Sequence, residues 1–288
     1  MGIVYHYCNV DAFMKIISGK SIRLSDITKS NDSTEIIWIT RFMKGVFLKE
    51  FRKEAAKTKY FKEGYKEEIF INLVEKYTDM FFKDGQRQYA CFVCCFSKAN
   101  DLLSQWRGYS DDASGLAIGF DILTHSNDAN AIHFGDIVYG ERKQRTKIKK
   151  YAGSLISKLK LILRDSCTDI EKKSEDAFYE SFLQLFKLSI LMKNPFFIEE
   201  KESRIYYLKK LGSSIETKLD CGDLSKVEYY IRGDDIVPYI ELKLDGKNID
   251  IKNVVIGPKC KARKRDVERL LSDNGFKCDV IESKGTYR

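Results

Sequence analysis

Two glutamates near position 200 are the residues whose spacing points most directly to chemistry. The segment FFIEEKESRIYY carries Glu200 and Glu202 two positions apart, and Arg204 follows at the same interval. Because alternate residues of a strand point to the same side, these three side chains are expected to share one face. Two carboxylates beside an arginine fit either a salt-bridged strand edge or an acid site with shifted pKa values.

A histidine and an arginine lie in two short apolar runs near the start of the sequence. His6 is in the run IVYHYC, where strand alternation turns it away from Tyr5 and Tyr7. Such a histidine is either a buried imidazole with a hydrogen-bond partner or a ligand contact. Arg23 lies in the run SIRLSD, where a surface ion pair is the default interpretation.

A polar connection between two apolar runs is the third candidate. The runs YACFVCCF (89–96) and GLAIGF (115–120) predict buried strands, since each is short, apolar and bounded by turn residues. The connection is either the wall of a small-molecule site or a surface loop with one tryptophan docked on the core. Its polar and aromatic residues are Ser97, Asn100, Ser104, Gln105, Trp106, Arg107, Tyr109, Asp111 and Asp112.

A group of polar residues follows the second apolar run. Asn31 and Asp32 are typical of a turn, and Asp32 with Glu35 has the spacing of a helix N-cap and its capping-box partner. A structural pair of this kind requires no chemistry. The alternative is that Asp32 and Glu35, together with Asp111 and Asp112, bind a metal ion in a nuclease-like site.

The cysteines and histidines do not predict a metal site. Cys91 and Cys94 have C-x-x-C spacing, but strand alternation places them on opposite faces, and no second Cys/His pair has ligand spacing. The sequence also lacks a Walker loop, G-x-G-x-x-G after a strand, G-x-S-x-G and H-E-x-x-H. We therefore expect neither a metal nor these familiar chemistries.

The chain has 288 residues and a net charge of +8, and its basic excess is local. It is concentrated in segments 141–160 and 259–269, which predict helices with solvated faces or, alternatively, a nucleic-acid footprint. The apolar runs are shorter than the roughly 20 residues of a membrane span, and the start lacks the layout of a signal peptide. Eight cysteines, mostly in apolar runs, fit packed thiols. We therefore expect a cytoplasmic protein with no membrane partner.

The elements that must position these residues predict an α+β fold with mixed, mainly antiparallel sheets, because strand clusters alternate with helical blocks. We expect one domain, 1–288, with helical insertions at about 34–84 and 143–194. The predicted strands are 3–8, 21–26, 89–96, 115–120, 131–139, 202–209, 226–232, 236–244, 249–256 and 277–281. The predicted helices are 10–18, 34–57, 65–83, 143–164, 168–193 and 262–274.

Four segments together resemble the bacterial domain-of-unknown-function family 2971. They are VYHYCNVDAFMKIISGKSIRLSD, the ND-x-x-E pattern at 31–35, CFSKANDLLSQWRGYSDDASGLAIGFD and FFIEEKESRI. VVIGPK and the closing Tyr287-Arg288 also fit this family. Ser203 departs from it, because the family often has Trp between the glutamate and the arginine, and this puts the packing under the site in doubt.

The order of three motifs also resembles the ADP-ribosyltransferase fold. Those enzymes have a His or Arg on the first strand, a Ser or Tyr on a middle strand and a Q/E-x-E motif on a later strand. Here His6, Ser97 and Glu200-Lys201-Glu202 occur in that order. The resemblance implies a split β core and NAD as the substrate.

The same resemblance implies a role for each candidate residue. Glu202 would hold the ribose hydroxyl and stabilise oxocarbenium-like charge, and Glu200 would orient or deprotonate the acceptor. His6 would hydrogen-bond the adenosine ribose, and Ser97 would brace Glu202 or contact the nicotinamide side. The other candidates are Tyr7, Trp106 or Tyr109 for stacking on the nicotinamide, Arg23 or Arg107 for the pyrophosphate, and Asn31 and Arg204 as further binding residues.

The leading hypothesis is an NAD-consuming ADP-ribosyltransferase or NAD glycohydrolase, for example a bacterial toxin or phage-defence effector that acts on nucleic acid or protein. The alternatives are a nucleic-acid-binding or metal-dependent nuclease-like module and a non-catalytic nucleotide sensor. The expected partners are a nucleic acid, bound by the basic segments 141–160 and 259–269, and a regulatory or antitoxin protein.

Overall fold

The computed structural model describes residues 2–32, 34–58, 61, 66–83, 88–122, 132–164, 169–211, 224–244 and 249–287. These residues form ten strands and seven α-helices, with the strands in one mixed sheet and helices packed on both of its faces. The predicted α+β class and the mainly antiparallel sheet are therefore confirmed. None of the described helices is long and apolar enough to span a bilayer.

The elements largely follow the predicted ones. The strands are β1 (Val4–Cys8), β2 (Ser21–Asp26), β3 (Tyr89–Ser97), β4 (Leu116–Ile122), β5 (His133–Asp136), β6 (Glu202–Lys210), β7 (Glu228–Arg232), β8 (Asp235–Lys243), β9 (Ile249–Ile256) and β10 (Asp279–Glu282). The α-helices are α1 (Val10–Gly19), α2 (Thr40–Ala55), α3 (Glu67–Thr78), α4 (Leu103–Tyr109), α5 (Glu141–Arg164), α6 (Ile170–Ser189) and α7 (Lys264–Asp273). Three 3₁₀ segments, Ile27–Lys29, Ile37–Ile39 and Pro195–Glu200, and a π-helical turn, Asp79–Lys83, complete the described elements.

The sheet divides at its centre. Its strand order is β10-β9-β4-β1-β3-β2-β8-β7, and β6 pairs along the whole length of β3, with β5 beyond it. Every named strand pair is antiparallel except β9 with β10. This order gives β3 three neighbours, so two strands must share one of its edges.

Strands β1 and β2 share that edge and then diverge. Tyr5 of β1 pairs with Ser97, whereas Ser25 and Asp26 of β2 pair with Val93 and Phe92. β1 continues to β4, and β2 continues to β8. The stretch of β3 between these pairings, residues 94–96, therefore faces an opening between the two strands, which we call the split.

Two large apolar cores lie on the two faces of the sheet. Helices α2, α3, α5 and α6 pack together on one face, so both predicted helical insertions contribute to the same core. Helices α1 and α7 cover the other face. Cys91 belongs to the first core and Cys94 to the second, which confirms that this C-x-x-C pair points to opposite faces.

Two local predictions were wrong. Helix α2 begins at Thr40 instead of 34, because a turn and a 3₁₀ segment precede it. The connection after β3 contains helix α4, which has too few residues to show a periodic pattern in the sequence.

Candidate functional site

A cavity of about 180 Å³ opens at the split. Its walls come from β1, the end of β2, the residues after β2, β3, α4, the segment before β6 and the end of β7. We call it the split cavity. It is lined by Tyr5, His6, Tyr7, Ser25, Asp26, Lys29, Ser30, Asn31, Glu35, Val93, Cys95, Phe96, Gln105, Tyr109, Lys193, Glu200, Glu202 and Arg232.

Glu202 is held in this cavity by two cations. Its Oε1 accepts a hydrogen bond of 2.8 Å from Arg204 Nε and lies 2.7 Å from Arg204 Nη2. Its Oε2 accepts a bond of 3.0 Å from Lys193 Nζ. The Glu202 side chain is 4% exposed and that of Arg204 is fully buried. The carboxylate therefore has a fixed position with one oxygen on each cation.

Lys193 links Glu202 to a second carboxylate. Its Nζ donates a bond of 2.6 Å to Glu200 Oε2, and Tyr109 OH donates a bond of 2.7 Å to Glu200 Oε1. The Glu200 side chain is 17% exposed, more than that of Glu202. Glu200 is thus the more accessible member of the pair, while Glu202 is the more constrained.

The two glutamates meet for a different reason from the one predicted. Glu200 ends the 3₁₀ segment Pro195–Glu200 and does not belong to β6. Lys201 has the left-handed φ of 47°, which turns the chain before β6 begins at Glu202. The prediction that Glu200 shares a strand face with Glu202 is therefore wrong. The same prediction is correct for Glu202 and Arg204, whose side chains form a hydrogen bond.

A third carboxylate, Glu35, completes the charged cluster. Its Oε1 accepts a hydrogen bond from Arg204 Nη2, so the predicted capping-box role is wrong. Asp32 makes its own turn by accepting bonds from Thr34 N and Oγ1 at 2.9 and 2.7 Å. Glu35 is thus the second carboxylate bonded to the buried Arg204, whose guanidinium has donors for both. The next residue, Ile36, has φ 70°, a strained value for a β-branched residue.

The charges of the cluster determine which groups are ionised. Burial alone would raise the pKa of Glu202, but Arg204 and Lys193 lower it below its usual value. Burial alone would lower the pKa of Lys193, but Glu202, Glu35 and Glu200 raise it. Three carboxylates thus face two cations, so the formal charges of Glu35, Glu200, Glu202, Lys193 and Arg204 sum to −1.

His6 uses one ring nitrogen to satisfy the backbone at the split. Its Nδ1 lies 3.0 Å from the carbonyl oxygen of Cys95. Because a carbonyl only accepts, Nδ1 carries the proton and Nε2 is left as an acceptor. Burial lowers the pKa of His6. The imidazole is therefore neutral at pH 7 and able to accept a hydroxyl hydrogen at Nε2.

This histidine is expected to destabilise the fold in mild acid. Its pKa is lower in the folded than in the unfolded chain, so below its usual value of 6.5 the unfolded state binds a proton first. Stability is therefore complete above pH 6.5 and falls as the pH drops toward the folded pKa. His6→Asn keeps a donor for Cys95 without titrating. Thermal melts from about pH 7.5 to 5.5 should show a larger loss for the wild type than for this variant; parallel losses would contradict the assignment.

Two tyrosines and a thiol complete the cavity wall. Tyr7 OH donates a bond of 2.8 Å to Ala99 O and accepts one of 3.2 Å from Leu102 N. It therefore fixes the entry into α4, which carries Tyr109. Cys95 is exposed to the cavity, and the surrounding protein together with the Glu202 charge raises its pKa. Its sulfur is therefore a neutral thiol and not a thiolate.

The cavity brings together six of the predicted site residues: His6, Tyr7, Asn31, Tyr109, Glu200 and Glu202. Ser97 is adjacent but 1% exposed. Its Oγ donates a bond of 2.8 Å to Glu200 O and accepts one of 3.2 Å from Ala99 N. Ser97 therefore braces the backbone at Glu200, and not the Glu202 side chain. Arg204 lies beneath Glu202 with no exposed surface, so it positions that carboxylate and cannot contact a ligand directly.

Three other predicted binding residues do not line the cavity, and their assignments are corrected. Trp106 is 1% exposed, packs edge-on against Tyr7 and donates a bond of 2.6 Å to Asp101. Arg107 lies on the exposed surface near Tyr287. Arg23 pairs with Glu241 and covers the ring of Tyr239, 4.3 Å away. Trp106 is core because an indole of this size gains most by full burial, Arg23 has its ion-pair partner outside the cavity, and Arg107 is directed to the surface.

The sequence did not identify three cations of the cavity. Lys193 lies after helix α6 and belongs to no sequence motif. The only nearby signal is Asn194-Pro195, which marks the end of the helical segment. Lys29 and Arg232 line the mouth in place of Arg23 and Arg107. Arg232 Nη2 donates to Lys29 O, and Lys29 pairs with Asp235 at 2.7 Å. The β7–β8 hairpin therefore brings a cation to the mouth, which no local pattern could show.

The carboxylates of the alternative metal site do not gather. Glu35 pairs with Arg204 in the cavity, whereas Asp112 pairs with Lys259 at 2.7 Å and accepts a bond from Tyr287. Asp32 and Asp111 do not line the cavity. In the part of the chain that the structure describes, no three His, Cys, Asp or Glu side chains form a group able to hold a metal ion.

The two basic segments are partly neutralised by their own surroundings. Lys158 and Lys160 of α5 pair with Glu180 and Glu54, at 2.7 and 2.8 Å. In the second segment, Lys259 is engaged by Asp112, and Arg263 pairs with Asp266 at 2.6 Å. The first turns of α5 keep a larger share of exposed cations.

Comparisons with known proteins agree with the sequence resemblance. The family model described as "Protein of unknown function (DUF2971)" matches residues 105–205. This span runs from α4 into β6 and contains Tyr109, Lys193, Glu200 and Glu202. The match confirms the resemblance to this family over these residues. A search of curated proteins and a search of solved structures each found no match.

Proposed function

We propose, from the geometry of the split cavity, that the protein is an NAD-consuming ADP-ribosyltransferase or NAD glycohydrolase. The description of the matching family names no activity. The observation that carries the proposal is that His6 and Glu202, from β1 and β6, line one cavity at the split. The resemblance joins a histidine, a serine and a glutamate around a divided sheet. His6 and Glu202 line the cavity, whereas Ser97 is buried beside it and reaches it only through the backbone of Glu200.

The chemistry of the cluster supports cleavage of the bond between nicotinamide and ribose. When this bond breaks, its electron pair leaves with nicotinamide and positive charge develops on the ribose. The net negative cluster stabilises that charge, and Glu202 is fixed by Arg204 and Lys193 so that little reorganisation is needed. Glu200, which is more exposed, takes the proton of the attacking water or acceptor hydroxyl.

The remainder of the dinucleotide is assigned to the wall and mouth of the cavity. The neutral His6 accepts a ribose hydroxyl hydrogen at Nε2. Tyr109 or Tyr7 stacks on the nicotinamide ring. Lys29 and Arg232 contact the pyrophosphate at the mouth, the role first given to Arg23 or Arg107. Asn31 supplies an amide at the same edge.

A non-catalytic nucleotide sensor is the second candidate, and one observation favours it. Both oxygens of Glu202 are already paired with cations, which is also how a structural ion pair is built. Such a protein would bind NAD in the same cavity without cleaving it. Under the leading proposal, by contrast, the acceptor of ADP-ribose is a nucleic acid or a protein, and the enzyme acts as a toxin or phage-defence effector in the cytoplasm.

The test is incubation of the purified protein with NAD, followed by measurement of free nicotinamide. The same reaction is repeated with labelled NAD and with DNA, RNA and protein as acceptors. A thermal melt accompanies it, since a ligand at about 100 times its Kd stabilises a fold by about 2.7 kcal/mol. Nicotinamide release is the expected result. Stabilisation without release would favour the sensor. The absence of both stabilisation and release would overturn both candidates.

A further inference from the structure

A second concave surface lies between α2 and α5, outside the split cavity. It has a volume of about 440 Å³, and we call it the α2–α5 groove. Among the described residues that line it, Val46 is the only one with an apolar side chain. The lining residues are Gly45, Val46, Lys49, Glu50, Glu141, Arg142, Arg145, Thr146 and Lys149.

The charge of the groove is positive after its internal pairs are counted. Lys49, Arg142, Arg145 and Lys149 are four cations, and they face the two carboxylates of Glu50 and Glu141. Both carboxylates form ion pairs: Glu50 with Lys149 at 3.3 Å and Glu141 with Arg145 at 3.6 Å. Four cations against two anions leave a net charge of +2, so the groove attracts an anionic ligand.

The cations follow the helix at regular intervals. Arg142, Arg145 and Lys149 lie three and four residues apart, so they form one stripe that spans about 10 Å along the axis of α5. Gly45 contributes to the depth of the groove on the α2 side, since a Cβ at this position would contact nothing within 4 Å. A linear series of cations in an open groove matches a chain of phosphates better than a single small anion.

Hydrogen bonds connect the groove to the wall of the split cavity. The inward-facing residue next to Arg145 is Gln144, whose Nε2 donates a bond of 2.9 Å to Lys193 O. Trp38 Nε1 donates a bond of 3.0 Å to Gln144 Oε1, so the chain segment before α2 joins the same network. The stripe therefore begins beside the backbone of the lysine that holds Glu200 and Glu202.

From these observations we infer that the α2–α5 groove binds the phosphodiester backbone of a nucleic acid. Arginine recognises phosphate oxygens with two parallel hydrogen bonds, and lysine adds a point charge. A protein partner would require apolar or aromatic anchors, which this groove lacks apart from Val46. The inference concerns binding and does not depend on NAD cleavage.

The test compares two triple variants of the same helix. Arg142→Gln, Arg145→Gln and Lys149→Gln remove the stripe in the groove. Lys143→Gln, Lys147→Gln and Lys150→Gln remove three exposed cations from the other side of α5 and change the net charge equally. Thermal melts of both variants show whether the helix is intact, which must be measured because Lys149 pairs with Glu50, whose side chain is only 12% exposed.

Binding is measured by fluorescence anisotropy with labelled single-stranded DNA and RNA of one sequence over a series of salt concentrations. The groove variant is expected to lose at least about tenfold in affinity, and its salt slope should fall by about 2, since each phosphate contact on a single strand contributes about 0.7. The control variant should lose less than about threefold. The DNA and RNA arms show which backbone is preferred.

Three results would overturn the inference. They are an equal loss for the two triple variants, an absence of salt-dependent binding by the wild-type protein, and competition by poly-glutamate as strong as by nucleic acid of equal charge. The first would show a diffuse charge effect, and the last would show that the groove does not distinguish phosphodiesters from carboxylates. Loss of NAD cleavage with intact nucleic-acid binding would bear on the proposed function alone.

Discussion

Glu202→Gln is expected to lower the rate of nicotinamide release from NAD by about 10²–10³-fold, the effect of removing one preorganised electrostatic group. The carboxylate is held by Arg204 and Lys193 in the split cavity, so it stabilises developing positive charge without first reorganising. Glutamine keeps the shape and one acceptor oxygen but removes the charge, and its NH2 group then faces one of the two cations. The loss should therefore be in kcat, with little change in KM.

This variant should remain folded. The wild-type cluster has Glu35, Glu200 and Glu202 against Lys193 and Arg204, and the substitution leaves two carboxylates against two cations. A balanced cluster avoids an uncompensated buried charge. A melting temperature within about 3 °C of the wild type is expected.

Glu199→Gln is the matched control for Glu202→Gln. Glu199 is exposed, lies in the same 3₁₀ segment as Glu200 and does not line the cavity. The control changes the net charge equally and should leave turnover unchanged. An enzyme whose turnover survived Glu202→Gln, or fell equally in both variants, would not use the proposed mechanism.

Arg204→Met is expected to lower the free energy of unfolding by about 3–5 kcal/mol, the effect of breaking a buried ion pair on one side. Arg204 is fully buried and bonds Glu202, Glu35 and the carbonyl of Ile190. Its removal leaves three carboxylates against Lys193 alone. The melting temperature should fall by about 5–10 °C, measured by calorimetry or circular dichroism.

Two further variants separate charge from shape. Arg23→Met removes an exposed arginine that pairs with Glu241, and it should cost less than about 1 kcal/mol. Arg204→Met combined with Glu35→Gln and Glu202→Gln removes the unpaired carboxylates and should recover much of the loss. If Arg204→Met cost no more than Arg23→Met, Arg204 would not be the electrostatic support of the cluster.

The local patterns of the sequence determined most of the sheet and part of the site. A short apolar run bounded by turn residues predicted β3, and period two placed Glu202 and Arg204 of β6 on one face. These properties depend on neighbours a few residues apart, so the sequence shows them directly. The opposite faces of Cys91 and Cys94 follow from the same rule.

The tertiary structure decided which side chains share the cavity. Glu35 reaches Arg204 from 169 positions away, and Arg232 arrives on a hairpin, while Arg23 pairs with Glu241 and Arg107 lies near Tyr287 on the surface. Such contacts depend on where β1 and β2 pair with β3 and where they diverge from it. These pairings join segments that are distant in the sequence. No short-range periodicity encodes that pairing, because it minimises the energy of a whole sheet and of the buried charges beneath it.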